Sequence, residues 1–310
     1  METRQIANSA AALRFGHWFG RHVPLTVGYA LVDGITGLLA RRDQSALMRT
    51  LCSNLSVVLG TDASDDRVRA VARETLRHAG HVYIDLYHAL GVGPEAFLAS
   101  VKAGNMLDPY LERVREEGRG AVIVTAHMSN FDLAGLAFAY RGVRLTALGF
   151  AAPSSGYDLQ NQIRLQGGID ALPIDVSSLR KSVEILRRGG MVATGVDRPD
   201  PFGGGEMVPF FGRPARMPVG PVRLAMQTNS PVIVASCEYR ETDRSYIVHL
   251  SRWLEMEHIG TRQESILHNA RRVLEVVEGL IAAHPEQWLM FYPVWEEELA
   301  GSSKKVNSEQ

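Results

Sequence analysis

The sequence predicts an α/β fold, in which a mostly parallel mixed central sheet is flanked by helices and joined to an N-terminal helical region. Up to about residue 118, Ala- and Leu-rich stretches with charged residues between them indicate helices. From Gly120 onward, short β-branched runs alternate with helical stretches, the pattern of strands connected by helices. The 310 residues, 45% hydrophobic and 22% charged, suffice to bury a large core.

The N-terminal helical region, residues 1–118, is predicted to belong to the same fold as the rest of the chain, with breaks near residues 60–66 and 91–94. Within it, residues 25–40 are apolar apart from Asp33. This stretch is shorter than the roughly 20 apolar residues that a membrane-spanning helix needs. Two interpretations therefore stay open, a membrane-surface segment over residues 12–42 and a buried core helix.

The second region, residues 119–299, is predicted to form the α/β core. Its strand candidates are AVIVTA, RLTALGF, MVATGV, PVIVAS and SYIVHL. A helix is expected from Ser178 to Arg188, ended by Gly189, and an apolar stripe from Leu267 to Ile281 predicts a helix that packs on the sheet. The polar residues 300–310 are expected to form a disordered tail.

Composition and charge argue against several functions. With 33 basic and 34 acidic residues the net charge is -1, so no nucleic-acid partner is expected. Cys52 and Cys237 lie far apart and match no zinc or disulfide pattern, no secretory signal is evident, and the chain is expected to start near Met1. No Walker loop or dinucleotide-binding glycine motif follows a strand, so neither nucleotide hydrolysis nor hydride transfer is supported.

A histidine-rich stretch, RHAGHVYIDLYH, offers a second possible site. His78, His81, Asp85 and His88 are spaced by three, four and three residues, which could place them on one helix face as metal ligands. The segment lies in the helical region, away from the predicted sheet edge, and no cysteine joins it. An ordinary helix is therefore favoured, and neither a metal nor a redox cofactor is expected.

The most informative stretch is GAVIVTAHMSNFDLAGLAFAY. Its strand delivers His127 to the carboxyl edge of the sheet, where open α/β folds place ligand sites. Ser129 or Asn130 can cap a helix that begins near Phe131, which puts Asp132 in the first turn. The turn between them can bring Asp132 to His127, giving a general base and the carboxylate that orients it. The alternative is a strand-end histidine followed by an acid that is merely favoured at a helix N-terminus.

Two more ordered blocks accompany this stretch: VDRPDPFGGGEMVPFFGRPARMPVGPVRLA and HPEQWLMFYPVW. With these two blocks and HMSNFD in this order, the chain resembles the lysophospholipid acyltransferase superfamily. The motif of that superfamily is a histidine, four residues and an acid. The match is closest to the bacterial branch of lipid A biosynthesis acyltransferases and phosphatidylinositol mannoside acyltransferases. The resemblance covers roughly residues 45–295.

The substrate-binding candidates come partly from physical reasoning. Phe210 and Phe211 offer an apolar wall for an acyl chain, and the glycines at 203–205 let backbone approach a ligand closely. Asp197 and Arg198 follow a strand at the same sheet edge as His127. They could form hydrogen bonds with the groups around His127, or they could form an ordinary ion pair in a loop.

Other candidates come from the resemblance. It implies that Arg164 contacts the acceptor head group and that Glu206 belongs to the active site; a surface helix arginine and a solvated loop acid are the alternatives. Arg213 and Arg216 could likewise meet anionic head groups or donor phosphates.

The function that the resemblance implies is transfer of a fatty acyl chain from an acyl thioester, either acyl-CoA or acyl carrier protein, to a hydroxyl of a glycolipid or lysophospholipid. His127 and Asp132 would be catalytic. The oxyanion would need donors, from the backbone after His127 or from the block beginning at Val196. Expected partners are the thioester donor and a membrane lipid acceptor at the inner face of the cell membrane, with peripheral or shallow attachment. A lipid ester or thioester hydrolase and a non-catalytic lipid-binding protein are the rival functions.

Overall fold

The computed structural model describes residues 10–104, 112–113, 116–149, 163–165, 167–200 and 204–295. The predicted tail at 300–310 lies outside these residues. The boundary proposed at residues 118 and 119 stays a prediction.

Helices and strands follow one another along the chain as the sequence pattern predicts. The helices are α1 (Ala10–His22), α2 (Leu25–Ala40), α3 (Ala46–Leu59), α4 (Asp66–Val92), α5 (Pro94–Ser100), α6 (Phe131–Tyr140), α7 (Val176–Arg187), α8 (Gly220–Thr228) and α9 (Arg262–Ala283). The strands are β1 (Val101–Ala103), β2 (Ala121–Thr125), β3 (Leu145–Gly149), β4 (Ile169–Pro173), β5 (Met191–Gly195), β6 (Glu206–Phe210), β7 (Arg213–Met217), β8 (Val232–Arg240) and β9 (Ser245–Leu250).

The central sheet has seven strands in the order β1-β9-β8-β2-β5-β3-β4. Every neighbouring pair is parallel except β8 and β9, which are antiparallel. The predicted mostly parallel mixed sheet is therefore confirmed, and all five predicted strands lie in it. Strands β1 and β4 were not predicted, since β1 has only three residues and β4 contains a single β-branched residue, Ile169. Strands β6 and β7 form a separate antiparallel hairpin.

Apolar side chains fill both faces of this sheet. On one face, Val122, Val192 and Val232 pack with the buried residues of α8 and α9. On the other face, Leu133 and Leu136 of α6 pack with neighbours from β1, β4 and the paired strands β8 and β9. Because both faces are covered, the parallel strands can be almost continuously apolar, and only their ends remain for polar chemistry.

The helical region has breaks where the glycine signals predict them. Helix α3 ends at Gly60, which has a φ of 64°, and α4 ends at Gly93, with a φ of 118°. Helices α1 and α2 both pack against α4. None of the helices in the described ranges has the length and apolarity needed to cross a bilayer.

Helices α1 and α2 nevertheless carry an exposed apolar surface. Half or more of each of its large side chains is exposed: Phe15, Trp18, Val27, Leu31, Ile35 and Leu38. Four of these residues recur on α2 at helical spacing, so they form one face. We call these six residues the α1–α2 apolar face.

The segment after α9 returns across the sheet edge. Asn54 of α3, which is 1% exposed, donates its amide to the carbonyls of Met290 and Tyr292 and accepts from the backbone N–H of Val294. The same segment forms an antiparallel bridge between Trp288 and Met128, just beyond strand β2. The C-terminal segment is therefore part of the edge at which the polar residues collect.

Candidate active site

His127 lies two residues beyond the end of β2, at the carboxyl edge of the sheet. Strand β2 is central, between β5 and β8, so its position is fixed from both sides. The carbonyl of His127 accepts a hydrogen bond from the backbone N–H of Leu289, 2.8 Å away. The side chain of His127 is 31% exposed. The imidazole is thus held by a rigid backbone and still reaches solvent.

Asp197 is the carboxylate that orients this imidazole. It follows β5, the parallel neighbour of β2, and its side chain is fully buried. Its Oδ1 lies 2.7 Å from Nδ1 of His127, and its Oδ2 accepts from the backbone N–H of His127 and from Nε1 of Trp288, both at 2.8 Å. With a proton on Nδ1 donated to Asp197, Nε2 carries the lone pair and is the basic nitrogen.

The two groups shift each other's pKa. Burial opposes the charged imidazolium, but the attraction of Asp197 and its hydrogen bond outweigh burial, so the pKa of His127 is raised above its usual value. Burial also opposes the charged carboxylate, but His127 and the hydrogen bonds from its ring, its backbone and Trp288 lower the pKa of Asp197. Asp197 is therefore a buried anion that stabilises a positive charge on His127.

Asp132 does not occupy the predicted position. As expected, Asn130 caps α6 through a 3.3 Å hydrogen bond from the backbone N–H of Leu133, and Asp132 stands in the first turn. However, Oδ1 of Asp132 accepts from Nε and Nη2 of Arg164 at 2.9 and 2.6 Å, while Nδ1 of His127 is taken by Asp197. The predicted hydrogen bond between Asp132 and His127 is wrong, because the turn directs Asp132 to Arg164.

Asp132 still acts on His127 through its charge. Its carboxylate is close enough to contribute to the raised pKa of His127, although it contributes less than Asp197. The ion pair of Asp132 and Arg164 is mostly buried, with 22% and 18% of the two side chains exposed. Leu86 and Leu136 line a small cavity beside it. Arg164 is therefore bound to Asp132, which balances its charge, and its predicted contact with an acceptor head group stays a prediction.

The turn after His127 is held in an unusual backbone conformation. Ser129 is fully buried and has a φ of 47°, in the left-handed region that disfavours residues other than glycine. Its backbone N–H donates to the carbonyl of Gln287 at 2.8 Å, and its hydroxyl pairs with Nε2 of His78 at 3.0 Å. These contacts from two distant parts of the chain stabilise the conformation.

The same turn limits where oxyanion donors can come from. The backbone N–H of Met128 donates to the carbonyl of Ala126, and that of Ser129 donates to Gln287. Both groups are therefore engaged within the protein and are not available to a substrate oxygen. Arg198, in the block from which a side-chain donor was expected, has a charge that lowers the pKa of His127 and a guanidinium 3.7 Å above the ring of Tyr292.

The hairpin of β6 and β7 packs against the C-terminal segment and α9. Phe210 is fully buried, stacks on Trp295 with ring centroids 5.7 Å apart, and meets Trp288 edge to face. Phe211 has a φ of 48° and donates its backbone N–H to Glu278 of α9. The prediction of an open apolar wall is wrong for Phe210, because the aromatic rings of the C-terminal segment cover it.

The other candidates from this block, Glu206, Arg213 and Gly205, are either exposed or contact other protein residues. Glu206 pairs with Arg223 at 2.7 Å and, within the described part of the chain, makes no hydrogen bond to His127. Arg213 is exposed at the start of β7. A Cβ on Gly205 would lie 2.6 Å from the carbonyl of Met217, so this glycine allows a close approach of two protein segments instead of a ligand. Gly203 lies outside the described residues.

Sequence reasoning missed the part played by Trp288. Its indole is 1% exposed and supplies a hydrogen bond to Asp197. The resemblance marked the stretch that contains it, but no spacing rule connects residue 288 with residue 197. Only the return of the C-terminal segment to the edge of β2 joins them.

The histidines and the aspartate of helix α4 do not converge on one point but contact several different neighbours. Its titratable side chains bond to separate places: His78 to Ser129, His81 to Asp33, Asp85 to the hydroxyls of Tyr29 and Tyr246, and His88 to the carbonyl of Gly20. These contacts tie α4 to α1, α2, β9 and the turn after His127. The favoured interpretation, an ordinary structural helix, agrees with this arrangement.

Burial of His78 makes stability depend on pH. Burial, then the charges of His81 and Arg77, lower the pKa of His78 to about 4 from 6.5. Between these two values the unfolded chain binds a proton that the folded protein does not, so stability falls as the pH decreases. Over the full window we expect a loss of about 3 kcal/mol in the free energy of unfolding, measured by urea titrations from pH 7 to pH 4.

A matched pair of variants isolates this effect. His78→Gln should flatten the pH dependence in this window, whereas His249→Gln, at a histidine whose side chain is 45% exposed, should leave it unchanged. A His78→Gln protein with the wild-type slope would contradict the assignment.

Comparisons with known proteins identify a family and several relatives. The family model described as bacterial lipid A biosynthesis acyltransferase matches residues 10–297. Phosphatidylinositol mannoside acyltransferases of Mycobacterium tuberculosis are 28% identical over 200 residues, covering 63% of this chain and 60% of theirs. The protein of that name from Mycolicibacterium smegmatis is 25% identical over 279 residues, covering 86% of each chain.

Proposed function

Because the chain belongs to the bacterial lipid A biosynthesis acyltransferase family, we propose that it transfers a fatty acyl group from an acyl thioester to a hydroxyl of a glycolipid. The predicted branch of the superfamily is confirmed by that membership. A glycolipid acceptor is supported by the name of the mycobacterial relatives, which cover the chain in part or in most of its length. A lysophospholipid acceptor and either thioester donor, acyl-CoA or acyl carrier protein, remain within the proposal.

The observation that carries the proposal is the hydrogen bond between Asp197 and Nδ1 of His127, 2.7 Å long. It leaves Nε2 of a partly exposed imidazole as the base. In the proposed step, Nε2 takes the proton of the acceptor hydroxyl while the oxygen attacks the thioester carbonyl. The tetrahedral intermediate then collapses, the carbon–sulfur bond breaks, and the proton passes from Nε2 to the leaving thiolate.

Arg164 and Arg198 are proposed to bind or stabilise anionic groups beside this base. Arg164 is held by Asp132, so its guanidinium is fixed beside a carboxylate whose charge acts on His127. Arg198 is proposed to stabilise the oxyanion, since its positive charge is felt at His127. None of these steps needs a metal or a redox cofactor.

The decisive test supplies labelled acyl-CoA and, separately, labelled acyl carrier protein together with a total lipid extract, and identifies the products by mass spectrometry. Label in a new acylated lipid supports transfer. Label released as free fatty acid while acceptor is present would instead assign a hydrolase. Lipid binding without any turnover would assign a non-catalytic protein.

The proposed site of action is the inner face of the cell membrane, with peripheral or shallow attachment through the α1–α2 apolar face. The support is its exposure, since side chains such as Leu31 and Leu38 are 50% and 59% exposed. Its four residues on α2 lie at helical spacing on one side of the helix, and an exposed apolar patch of this kind marks an interaction site.

Two acidic substitutions test the attachment. Leu31→Glu combined with Leu38→Glu should weaken sedimentation with phosphatidylcholine vesicles at least about tenfold, because two apolar side chains leave the lipid and two charges enter it. A matched control, Val176→Glu with Ile259→Glu, changes two exposed apolar residues elsewhere and should bind as the wild type does. Equal binding of both double variants would reject the α1–α2 apolar face as the attachment surface.

A further inference from the structure

A cavity of about 420 Å³ lies between helices α2 and α4, and its lining residues are separate from those around His127. This volume is in the range of small-molecule sites, about 300–1,000 Å³. Three arginines, Arg41 at the end of α2 and Arg73 and Arg77 on α4, stand in its wall with two acids, Asp33 and Glu74. The wall is therefore rich in guanidinium groups.

Both acids already have partners. Glu74 accepts two hydrogen bonds from Nε of Arg77, at 3.1 and 2.9 Å, and Asp33 lies 2.7 Å from Nε2 of His81. The local carboxylates are thus directed at these two neighbours. With three arginines against two acids, the wall keeps a net charge of +1.

Arg41 and Arg73 have little to hold them in the protein. Within the described ranges Arg41 makes no side-chain hydrogen bond or ion pair, and Arg73 has only a 3.3 Å contact with Asp43 in which about half of each side chain is exposed. Exposed pairs of this kind contribute little, about 0–1 kcal/mol. Arg41 is therefore free to bind an anion, and Arg73 can exchange its weak pair with Asp43 for one. The paired donors of a guanidinium group suit a phosphate.

The cavity and the α1–α2 apolar face share helix α2 but lie on different sides of it. Thr36 and Ala40 line the cavity on the side that faces α4, whereas Leu31 and Leu38 are 50% and 59% exposed on the opposite side. If α2 lies on a membrane, the open side of the cavity comes to the depth of the lipid head groups. Basic side chains at this depth bind anionic lipids, each contributing about 1 kcal/mol.

We propose that this cavity binds the phosphate of an anionic phospholipid head group whose acyl chains lie beside the α1–α2 apolar face. The site is separate from the transfer site and rests on the proposed attachment to the membrane. It gives the enzyme a preference for anionic membranes and a fixed orientation on them.

The test compares wild-type protein with Arg41→Gln combined with Arg73→Gln, using vesicles of phosphatidylcholine alone, with added phosphatidylglycerol, and with added diacylglycerol succinate, an anionic lipid without phosphate. Wild-type protein should prefer the phosphatidylglycerol vesicles. The double variant should lose about 30-fold of that preference, because each arginine contributes about fivefold. Its binding to phosphatidylcholine vesicles should stay unchanged.

A second pair of variants keeps every charge. Gly37 and Gly34 both lie on α2 with open space where a Cβ would be, but only Gly37 lines the cavity. Gly37→Gln should fill the cavity and reduce the preference for phosphatidylglycerol, whereas Gly34→Gln should weaken binding to all vesicles equally.

A control for the change in net charge is Arg262→Gln combined with Arg271→Gln on α9. This double variant should keep the preference for phosphatidylglycerol vesicles.

The outcomes separate the sources of phosphate and the two proposals. Equal binding to phosphatidylglycerol and succinate vesicles, or equal losses in the cavity and α9 variants, would overturn a phosphate site. Calorimetric binding of inorganic phosphate that requires Arg41 and Arg73, with no vesicle preference, would assign a free anion and overturn the lipid. If wild-type protein bound none of the vesicles, both the membrane attachment and this site would be rejected. Acyl transfer to a detergent-dispersed acceptor would still be measurable, so the proposed function is tested separately.

Discussion

Replacing His127 with Ala should lower the rate of acyl transfer about 10²- to 10⁴-fold, the contribution expected of a positioned general base. The acceptor hydroxyl has a pKa far above neutral and attacks a thioester slowly unless its proton is removed as the new bond forms. No other described side chain shares the position of Nε2. The measurement is the turnover number at saturating donor and acceptor, with free fatty acid counted separately.

The His127→Ala protein should still fold, because Asp197 retains hydrogen bonds from the backbone of residue 127 and from Trp288. Its thermal unfolding midpoint should fall, since the fully buried Asp197 loses the imidazole that contacts Oδ1. Circular dichroism at the assay temperature checks that the variant is folded. His268→Ala, at a surface histidine paired with Glu257, is the matched control and should transfer at the wild-type rate. If folded His127→Ala kept more than about a tenth of the wild-type rate, the base would have to be another group.

Asp197→Asn should reduce the rate about 10²- to 10⁴-fold although it changes one atom, because it reverses the tautomer of His127. Oδ2 of Asp197 accepts from two N–H groups, the backbone of His127 and the indole of Trp288. An asparagine must keep its carbonyl oxygen there, so its NH₂ group faces Nδ1. That nitrogen then has to accept, the proton moves to Nε2, and the base is lost.

The same variant should change the pH profile in a defined direction. The rate requires neutral His127, so it rises with pH through the raised pKa of the wild-type imidazole. Without the charge of Asp197 the imidazolium is less stable, and the rising limb should move to lower pH while the plateau falls. The profile of kcat against pH measures both effects.

Asp132→Asn provides the contrast for this shift. Asp132 contributes less to the pKa of His127 than Asp197 does and is bonded to Arg164. We expect a lower rate through release of Arg164, with a rising limb that moves less than in Asp197→Asn. A larger shift in Asp132→Asn than in Asp197→Asn would favour the pairing predicted from the sequence.

Local sequence signals predicted the framework of the fold well. The β-branched runs gave all five predicted strands, Asn130 caps α6 as expected, and the predicted helix from Ser178 to Arg188 is found at Val176–Arg187. These features depend on residues close together in the chain. Alternation, capping and glycine stops act over a few residues, so one sequence is enough to recognise them.

The partner of His127 depended on information that the local pattern does not contain. Asp132 was preferred because the turn before α6 could fold it back to His127 and because it matches the family motif. Asp197 is brought in because β5 lies directly beside β2. Strands β3 and β4 come earlier in the chain than β5 but lie outside it in the sheet. Without the strand order, the acids at the ends of different strands cannot be ranked by their distance from the imidazole.

The misplacement of Phe210 has a similar cause. An aromatic pair beside glycines has the composition of an acyl-chain wall, and its chemistry is compatible with that role. What decides its environment is the C-terminal segment, in which Trp288 and Trp295 cover Phe210. The sequence predicted that this segment belongs to the family pattern, but not that it folds onto the hairpin.

The bridge between Met128 and Trp288 joins two positions 160 residues apart in the chain. During synthesis on the ribosome, His127 emerges long before the indole that completes the surroundings of Asp197. A nascent chain that ends before residue 288 therefore contains His127 and Asp197, but Asp197 lacks the hydrogen bond from the indole of Trp288. The pairing of Asp197 with His127 should therefore become complete only after residue 288 has left the exit tunnel.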